Sequence, residues 1–420
     1  MNSAAGALIG LVLAIILIIR KVSPFYSMLA GAVAGGLLSG FGIEGTVADM
    51  ITGVKDITPA ILRILAAGVL SGALIVTGAA TSISNTIMDK LGAKSAYLAL
   101  ALPTMILTAV GVFIDVAVIT VAPIGLMLGK RAGIPKPVML LAMIGGGKCG
   151  NVISPNPNTI IAAENYGAPL PSVMGANVIA AVIGLLVTVF IILPLASRFL
   201  GKGMQDSYGE GMNEESRKGL PSFAASISGP VTAILLLALR PVAGITIDPL
   251  IALPVGGLVG ILATGCARKT GECLAYGLEK MSGVAVLLVG TGAIAGIITA
   301  SDIKDVVIGM LSGWSMGGVI MAPLSGILMS AAAASTTAGA TIASASFART
   351  VLAAGVSPVW GAAMTNAGAT VLDHLPHGSF FHATGGSAGM SIKERLKLIP
   401  YESLTGLTLC IVSTLCAIII

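Results

Sequence analysis

Long apolar stretches alternate with short polar ones along the whole 420-residue chain. Because a helix needs about 20 apolar residues to cross a bilayer, this pattern predicts a series of membrane-spanning segments. The predicted segments lie near residues 4–20, 24–42, 60–86, 95–128, 137–165, 173–198, 222–240, 249–266, 282–300, 307–346, 354–382 and 399–418. The pattern therefore predicts an all-α polytopic membrane protein.

Four of these segments are too long, too polar or too rich in Gly for one plain helix. They cover residues 95–128, 137–165, 307–346 and 354–382. Each is predicted to contain a re-entrant hairpin or an interrupted helix. Non-helical backbone at membrane depth is tolerated only where protein buries it or where it lines a cavity. We therefore expect the functional residues in these four segments.

A hydrophilic linker at residues 201–221, with seven charged side chains, divides the chain into an N-terminal repeat at 1–200 and a C-terminal repeat at 222–420. Residues in the two halves match at a constant offset of 221. The matched pairs are Pro137 with Pro358, Ala142 with Ala363, Met143 with Met364, Gly147 with Gly368 and Pro155 with Pro376. Paired interrupted segments at corresponding positions are typical of secondary transporters. We interpret the halves as two inverted repeats, each with a re-entrant hairpin and an interrupted helix.

The composition supports a membrane protein and excludes several other classes. Charged residues make up 10% of the chain (23 Lys and Arg, 18 Asp and Glu; net charge +5), and the mean hydropathy is +0.99. Soluble domains carry roughly 25% charged residues. A soluble enzyme, a nucleic-acid-binding protein and a disordered scaffold are therefore excluded. The five Cys residues match no zinc or disulfide spacing and are interpreted as small apolar residues.

A polar break, GGGKCGNVISPNPNT, runs from Gly145 to Thr159. A phosphate-binding loop would need Ser or Thr after its Lys, whereas Cys149 follows Lys148 here. The break instead combines backbone N–H donors, side-chain amides and one cation, which favours binding of an anion. The alternative is that Lys148 extends to the membrane surface and the Asn/Pro run is only a turn.

The corresponding break in the second half contains every His of the chain. His374, His377 and His382 lie within nine residues, beside Asp373. Imidazole and carboxylate groups can bind zinc or iron, but this spacing is not a recognised ligand pattern. A polar transport pathway or proton relay is the favoured interpretation, because ionisable groups in membrane segments usually have that role. A water-facing loop end is the remaining alternative.

Two further features are candidates for the same site. Asp115 lies in the apolar sequence GVFIDVAVITVAP, so it is predicted either to carry a proton or to form a structural ion pair. The segment Ser330–Ser346 contains four hydroxyl residues between 335 and 341 and is predicted to form a hairpin tip that binds a carboxylate. Tight helix packing through small residues is the alternative for that segment. Glu164 and Asn165, which close the first break, are either interfacial or functional.

Several of these segments together carry a family resemblance. They are IIRKVSPFYSMLAGAVAGGLLSG, FIDVAVITVAP, LGKRAGI, SPNPN, ASTTAGATIAS and DHLPHGSFF. With them the chain resembles the gluconate permease family, within the wider superfamily of organic-anion carriers, over nearly its whole length. The family typically has two aromatics before Glu in the first hairpin, where this chain has Phe113-Ile114-Asp115. It also typically reads SHVNDSGFW near the C-terminus, where Pro376-His377 replaces the Asn-Asp pair.

The resemblance implies proton-coupled uptake of a small hydroxy-carboxylate such as gluconate, or of an amino acid such as D-serine, across a bacterial inner membrane. It also implies two inverted halves and a homodimer. The site is then expected at the interface of the repeats, near the bilayer midplane. The residues predicted to bind substrate are Lys148, Asn151, Ser154, Asn156, Asn158, Ser335, Thr336, Thr337, Asn366, Thr370 and His374. Those predicted to carry the proton are Asp115, Asp373 and His374.

Two alternatives remain open at this point. One is a sodium-coupled carrier of the same architecture, in which carbonyl and hydroxyl oxygens hold Na⁺. The other is an intramembrane metal enzyme that uses the His residues. A channel is disfavoured because neither half shows a filter-like loop. The expected partners are a small carboxylate, H⁺ or Na⁺, and membrane lipid; no cofactor and no nucleic acid are expected.

Overall fold

The computed structural model describes residues 3–20, 22–92, 95–200, 219–243, 245, 247–302, 317–376 and 378–420. In these ranges the chain forms helices joined by short turns, and no strand occurs among them. The predicted all-helical class is therefore confirmed. Most of the predicted linker, residues 201–218, lies outside the described residues.

The first half contains eleven described helices, with a π-helical turn Thr188–Ile192 between the last two. They are α1 Ser3–Ile19, α2 Pro24–Leu38, α3 Gly42–Val76, α4 Ala79–Leu91, α5 Ala96–Ala109, α6 Ile114–Arg131, α7 Lys136–Asn151, α8 Pro157–Tyr166, α9 Leu170–Ala176, α10 Val178–Val187 and α11 Leu193–Leu200. Helix α3 begins well before the predicted segment at 60–86 because charged residues in its first half lower the hydropathy without interrupting the helix. Its end is set by Gly78, whose φ of 78° is left-handed.

The second half has nine described helices, with a 3₁₀ turn Ala267–Lys269 before the third. They are α12 Phe223–Ala243, α13 Pro249–Ala263, α14 Thr270–Ala300, α15 Gly317–Ala333, α16 Thr336–Ala353, α17 Pro358–Gly368, α18 Ser379–Ser387, α19 Ile392–Leu396 and α20 Ile399–Ile419. Residues 303–316, within the predicted segment 307–346, lie outside the described residues.

Within the described residues, each of the four segments predicted to be interrupted contains two helices rather than one. The breaks separate α5 from α6, α7 from α8, α15 from α16, and α17 from α18. Helix α5 packs along α7, and α15 packs along both α16 and α17. The breaks therefore lie among packed helices, as the cost of unpaired backbone groups in lipid requires.

Four described stretches are long and apolar enough to cross a membrane by length and composition. They are Gly42–Val76, Leu170–Leu200, Ala267–Ala300 and Ile392–Ile419. Six shorter apolar helices of 10–17 residues accompany them. Large apolar side chains such as Phe190, Phe199 and Leu262 point outward, each about two-thirds exposed. Such surfaces suit contact with lipid rather than water.

Among the described helices, α3 and α14 form the most extensive pair, and they approach each other through glycines. A Cβ atom on Gly296 would lie 2.0 Å from the carbonyl oxygen of Asp49, and a Cβ on Gly53 would lie 2.1 Å from that of Gly292. Small residues allow helix backbones to approach closely in membranes, where van der Waals contact drives association. The glycines therefore set the distance between these two helices.

We predict that Gly296→Ala destabilises the protein by about 1–3 kcal/mol, since the added methyl group forces the α3 and α14 backbones apart. Gly271→Ala is the matched control on the same helix, because a Cβ atom at that position would meet no other atom within 4 Å. Thermal unfolding of the detergent-purified variants measures the effect. Equal melting temperatures for the two variants would contradict the tight crossing.

Candidate functional site

The four helix breaks contribute residues to a cavity of about 300 Å³. Helix α14 closes the cavity on one side. The lining residues are Phe113, Ile114, Asp115, Val116, Asn151, Lys280, Gly283, Val284, Leu287, Ser335, Thr336, Thr337, Asp373, Ser379 and Phe380. The cavity therefore combines residues of both halves of the chain, and its polar lining comes mainly from the breaks.

Three helices present their N-termini to this cavity. They are α6, α16 and α18, which begin at Ile114, Thr336 and Ser379. Each helix N-terminus carries unpaired N–H groups and a partial positive charge, which favours a bound anion. Gly378, the N-cap of α18, has no side chain to satisfy those N–H groups. The hydroxyl of Ser335 caps α16 by accepting a hydrogen bond from the N–H of Ala338 at 3.3 Å.

A buried ion pair lies at the edge of the cavity. Lys148 Nζ donates to Asp373 Oδ1 at 2.5 Å and to the carbonyl oxygen of Thr370 at 2.5 Å, and it lies 3.0 Å from His374 Nδ1. The second oxygen of Asp373 accepts from the hydroxyl of Thr336 at 2.5 Å. Lys148 and His374 are fully buried, and Asp373 is 2% exposed. These contacts join α7 of the first half to both breaks of the second half.

His374 also contacts helix α20, where its Nε2 lies 3.1 Å from the carbonyl oxygen of Ile399 and 3.2 Å from Ser403 Oγ. His382 instead contacts the carbonyl oxygen of Pro376 at 2.9 Å, and His377 lies outside the described residues. Over the described ranges, no group of three or more His, Cys, Asp or Glu side chains is placed to hold a metal ion.

A buried amide network joins the two halves behind the cavity. Asn158 Nδ2 donates to Asn366 Oδ1 at 2.7 Å, and Asn366 Nδ2 donates to Thr159 Oγ1 at 3.1 Å. Asn156 caps α8 and also bonds the side chain of Asn151. Because its groups are at most 3% exposed and bonded to one another, the network braces the break between α7 and α8.

The structure thus divides the predicted site residues into three groups. Those lining the cavity are Asp115, Asn151, Ser335, Thr336, Thr337 and Asp373. Those in the buried layer beside it are Lys148, Thr370 and His374. Those in the packed interior are Ser154, Asn156, Asn158 and Asn366, of which Ser154 has no partner for its buried hydroxyl among the described residues.

One charged residue of the cavity lining was missed by the sequence interpretation. Lys280 lies on α14, two residues before the predicted segment at 282–300 begins. The signal available in the sequence was the charged pair Glu279-Lys280 in an otherwise apolar stretch. Hydropathy alone treats such a pair as the end of a segment, whereas α14 continues through it from Thr270 to Ala300.

A second cavity, of about 220 Å³, lies beyond the far end of α8. Arg63 of α3 lines this cavity and forms ion pairs with Glu164 at the end of α8 and with Asp248 before α13. The contact with Asp248 is bidentate, with Nε to Oδ1 at 3.0 Å and Nη2 to Oδ2 at 2.8 Å. Glu164, which the sequence left as interfacial or functional, is therefore part of an ion-pair cluster that links the two halves.

The cluster predicts a pH-dependent stability. The hydrogen bond from Arg63 holds the pKa of Asp248 below its usual value of 3.8. The carboxylate therefore stabilises the fold above about pH 4, and this contribution is lost as the pH falls through the lowered pKa. We expect the melting temperature to fall more steeply from about pH 5 to about pH 3 in the wild type than in Asp248→Asn. Parallel curves would contradict this assignment.

The sequence comparison decides the family. Residues 4–420 match the GntP family permease over essentially the whole chain. This chain belongs to the GntP permease family. It is therefore a transporter and a multi-pass membrane protein, as the resemblance in the sequence implied.

Two curated relatives cover almost all of this GntP family permease. An uncharacterized transporter of Haemophilus influenzae is 56% identical over 413 residues, covering 98% of this chain and 97% of the relative. The high-affinity gluconate transporter of Escherichia coli is 23% identical over 434 residues, covering 96% and 97%. The family assignment thus extends over both halves and every helix break of the candidate site.

A solved structure shares the fold of this permease. The YdaH transporter of Alcanivorax borkumensis aligns with a TM-score of 0.60 at 14% identity, covering 91% of this chain and 89% of that one. At this identity the likeness concerns the fold alone. The shared fold covers most of the residues that the family match also covers.

Proposed function

We propose that this permease is a secondary active transporter that carries a small hydroxy-carboxylate, of the gluconate type, together with a proton. The observation that carries the proposal is the cavity of about 300 Å³, at which three helix N-termini meet hydroxyl and amide side chains. N–H groups and positive helix ends suit a carboxylate, while hydroxyls and amides suit the hydroxyl groups of the substrate. The distant gluconate transporter of Escherichia coli supports this substrate class.

The substrate carboxylate is placed at the N-termini of α6 and α16. Ser335, Thr336 and Thr337 supply hydroxyls there, and Asn151 supplies an amide from the end of α7. Interrupted helices that point their N-termini at an anionic group are a general solution in secondary transporters. Lys148 and His374 act from the buried layer by holding Asp373 in position at the cavity wall, and the carbonyl oxygen of Thr370 accepts a hydrogen bond from Lys148.

The proton is assigned to Asp115. This carboxylate lines the cavity, and within the described residues its hydrogen bond is to the N–H of Val116 at 2.9 Å. Asp373, by contrast, is already balanced by Lys148 at 2.5 Å. An entering anion adds negative charge beside Asp115, which favours protonation of that carboxylate. Uptake of one substrate anion is thereby linked to uptake of one proton.

Alternating access is proposed to use the two halves as inverted repeats, each with a re-entrant hairpin and an interrupted helix. The helix bounds support this, since α6 and α7 begin at residues 114 and 136 and α16 and α17 begin at residues 336 and 358. Each matched pair of helix starts is 222 residues apart, within one residue of the offset found in the sequence. A substrate site between two such repeats can open to either side as one repeat moves against the other.

The cellular setting follows from the same proposal. We assign the protein to a bacterial inner membrane as a homodimer, with lipid against its exposed apolar helices. The bacterial relatives and the outward-facing apolar residues of α10, α11, α13 and α20 support this setting. The mass of the particle in detergent, measured by light scattering, would test the dimer.

The test is uptake of labelled gluconate into proteoliposomes that contain the purified protein, with either a proton gradient or a Na⁺ gradient imposed. Accumulation driven by the proton gradient alone is the expected result. Accumulation driven only by Na⁺ would favour the sodium-coupled alternative, in which carbonyl and hydroxyl oxygens hold the ion. Absence of both uptake and exchange of any small carboxylate would overturn the proposal.

A further inference from the structure

A lysine would add a full positive charge to the helix N-termini of the proposed carboxylate site, and the lysine first predicted for that role is engaged elsewhere. A Lys ammonium group has three N–H donors. Those of Lys148 face Asp373, the carbonyl oxygen of Thr370 and the ring of His374. Lys148 is fully buried and does not line the cavity. Contact with a substrate at Lys148 would first require this buried ion pair to separate.

A different cation reaches the cavity from helix α14. The side chain of Lys280 forms part of the lining, together with Gly283, Val284 and Leu287 of the same helix. Its Nζ lies 5.4 Å from the centre of the Tyr276 ring, and among the described residues it forms no ion pair. Lys280 is also exposed, so its ammonium group can change position without breaking buried contacts.

Two acidic residues, Asp115 and Asp373, line the cavity together with Lys280. Asp373 is already paired with Lys148, and Asp115 is on α6, at the first turn of one of the converging helices. Among the described residues that line the cavity, Lys280 is therefore the one with a positively charged side chain. An ammonium group on a flexible four-carbon stem acts as a mobile point charge, which suits a ligand that enters and leaves.

We propose that Lys280 binds the carboxylate of the substrate from the α14 side of the cavity. The inference rests on the proposed function, because it assigns a residue to the substrate of the proposed site. In this structure the ammonium group lies near the Tyr276 ring. When the carboxylate enters, the ammonium group moves from the ring to the carboxylate oxygens.

The test compares Lys280→Gln and Lys280→Arg with the wild type in proteoliposomes, using labelled gluconate. Lys269→Gln is the matched control, since Lys269 is an exposed lysine just before α14 and does not line the cavity. We expect Lys280→Gln to raise the KM for gluconate by about tenfold or more with kcat changed less than about twofold, because an ionic contact to substrate is lost. Lys280→Arg should restore the KM to within about threefold of the wild type, because it keeps the charge.

A second measurement separates a contact with the carboxylate from a general effect on the helix. In the wild type, unlabelled gluconate should inhibit uptake of labelled gluconate much more strongly than its neutral amide does. The ratio of the two inhibition constants should shrink about tenfold in Lys280→Gln. An unchanged KM, an unchanged ratio of the two inhibitors, or a fall in kcat alone would each overturn the inference while leaving the proposed function intact. If the wild type transports no carboxylate, the proposed function itself fails.

Discussion

Asp373→Asn is expected to destabilise the protein by about 3–5 kcal/mol and to abolish transport, because it leaves the buried ammonium group of Lys148 without its counter-ion. Lys148 is fully buried and bonded to Asp373 Oδ1 at 2.5 Å, so loss of the carboxylate leaves an uncompensated positive charge in the protein interior. The measurements are thermal unfolding in detergent and gluconate exchange in proteoliposomes. An exchange assay is used because it detects the site without requiring a coupling ion.

The matched control is Asp56→Asn. Asp56 pairs with Arg349 at 3.8 Å, and both side chains are more than 60% exposed. Exposed pairs contribute at most about 1 kcal/mol, so this variant should unfold almost as the wild type does. The double variant Lys148→Met with Asp373→Leu should regain much of the stability that Asp373→Asn loses, without regaining transport. Equal unfolding of Asp373→Asn and Asp56→Asn would contradict the importance of the buried pair.

Asp115→Asn is expected to abolish accumulation driven by a proton gradient while exchange of labelled gluconate across the membrane remains measurable. The substitution removes the titrating carboxyl but keeps a side chain of similar shape. Its oxygen can still accept the hydrogen bond from the N–H of Val116, made at 2.9 Å in the wild type. Loss of coupling without loss of binding is the signature of a proton carrier.

The two assays are run on the same preparation of proteoliposomes, with Asp56→Asn as the control. That residue forms part of an exposed ion pair and does not line the cavity, so both activities should persist. Full gradient-driven accumulation in Asp115→Asn would rule out the assigned proton role. Loss of exchange together with accumulation would instead show that Asp115 is needed for the site itself.

The positions of the helix breaks could be predicted from the sequence because the breaks have local causes. Gly and Pro residues and runs of polar side chains interrupt the apolar pattern around 110, 152, 334 and 370, and the helices end there. A backbone break at membrane depth needs burial or a cavity, so the interrupted segments were the expected place for a site. The family also followed from motifs at these breaks, and it is confirmed over residues 4–420.

The pairing of side chains within the site could not be predicted in the same way. The sequence indicated Lys148 as a cation for the substrate and Asp373 as a proton carrier, yet they are paired in the structure across 225 positions of the chain. Lys280 was overlooked because its charge seemed to mark the end of an apolar segment. Both outcomes depend on which helices become neighbours, which hydropathy does not encode.

The solvent, the class and the family of this permease follow from its amino-acid sequence alone. A chain with 10% charged residues cannot cover itself with polar surface, so lipid contacts much of it and helices satisfy its backbone. Which of its few charges neutralise each other, and which line the cavity, became clear only from the packing of the helices. The physical reason is that the energy of a charge depends on its distance to other charges and on its burial, and both are set by that packing.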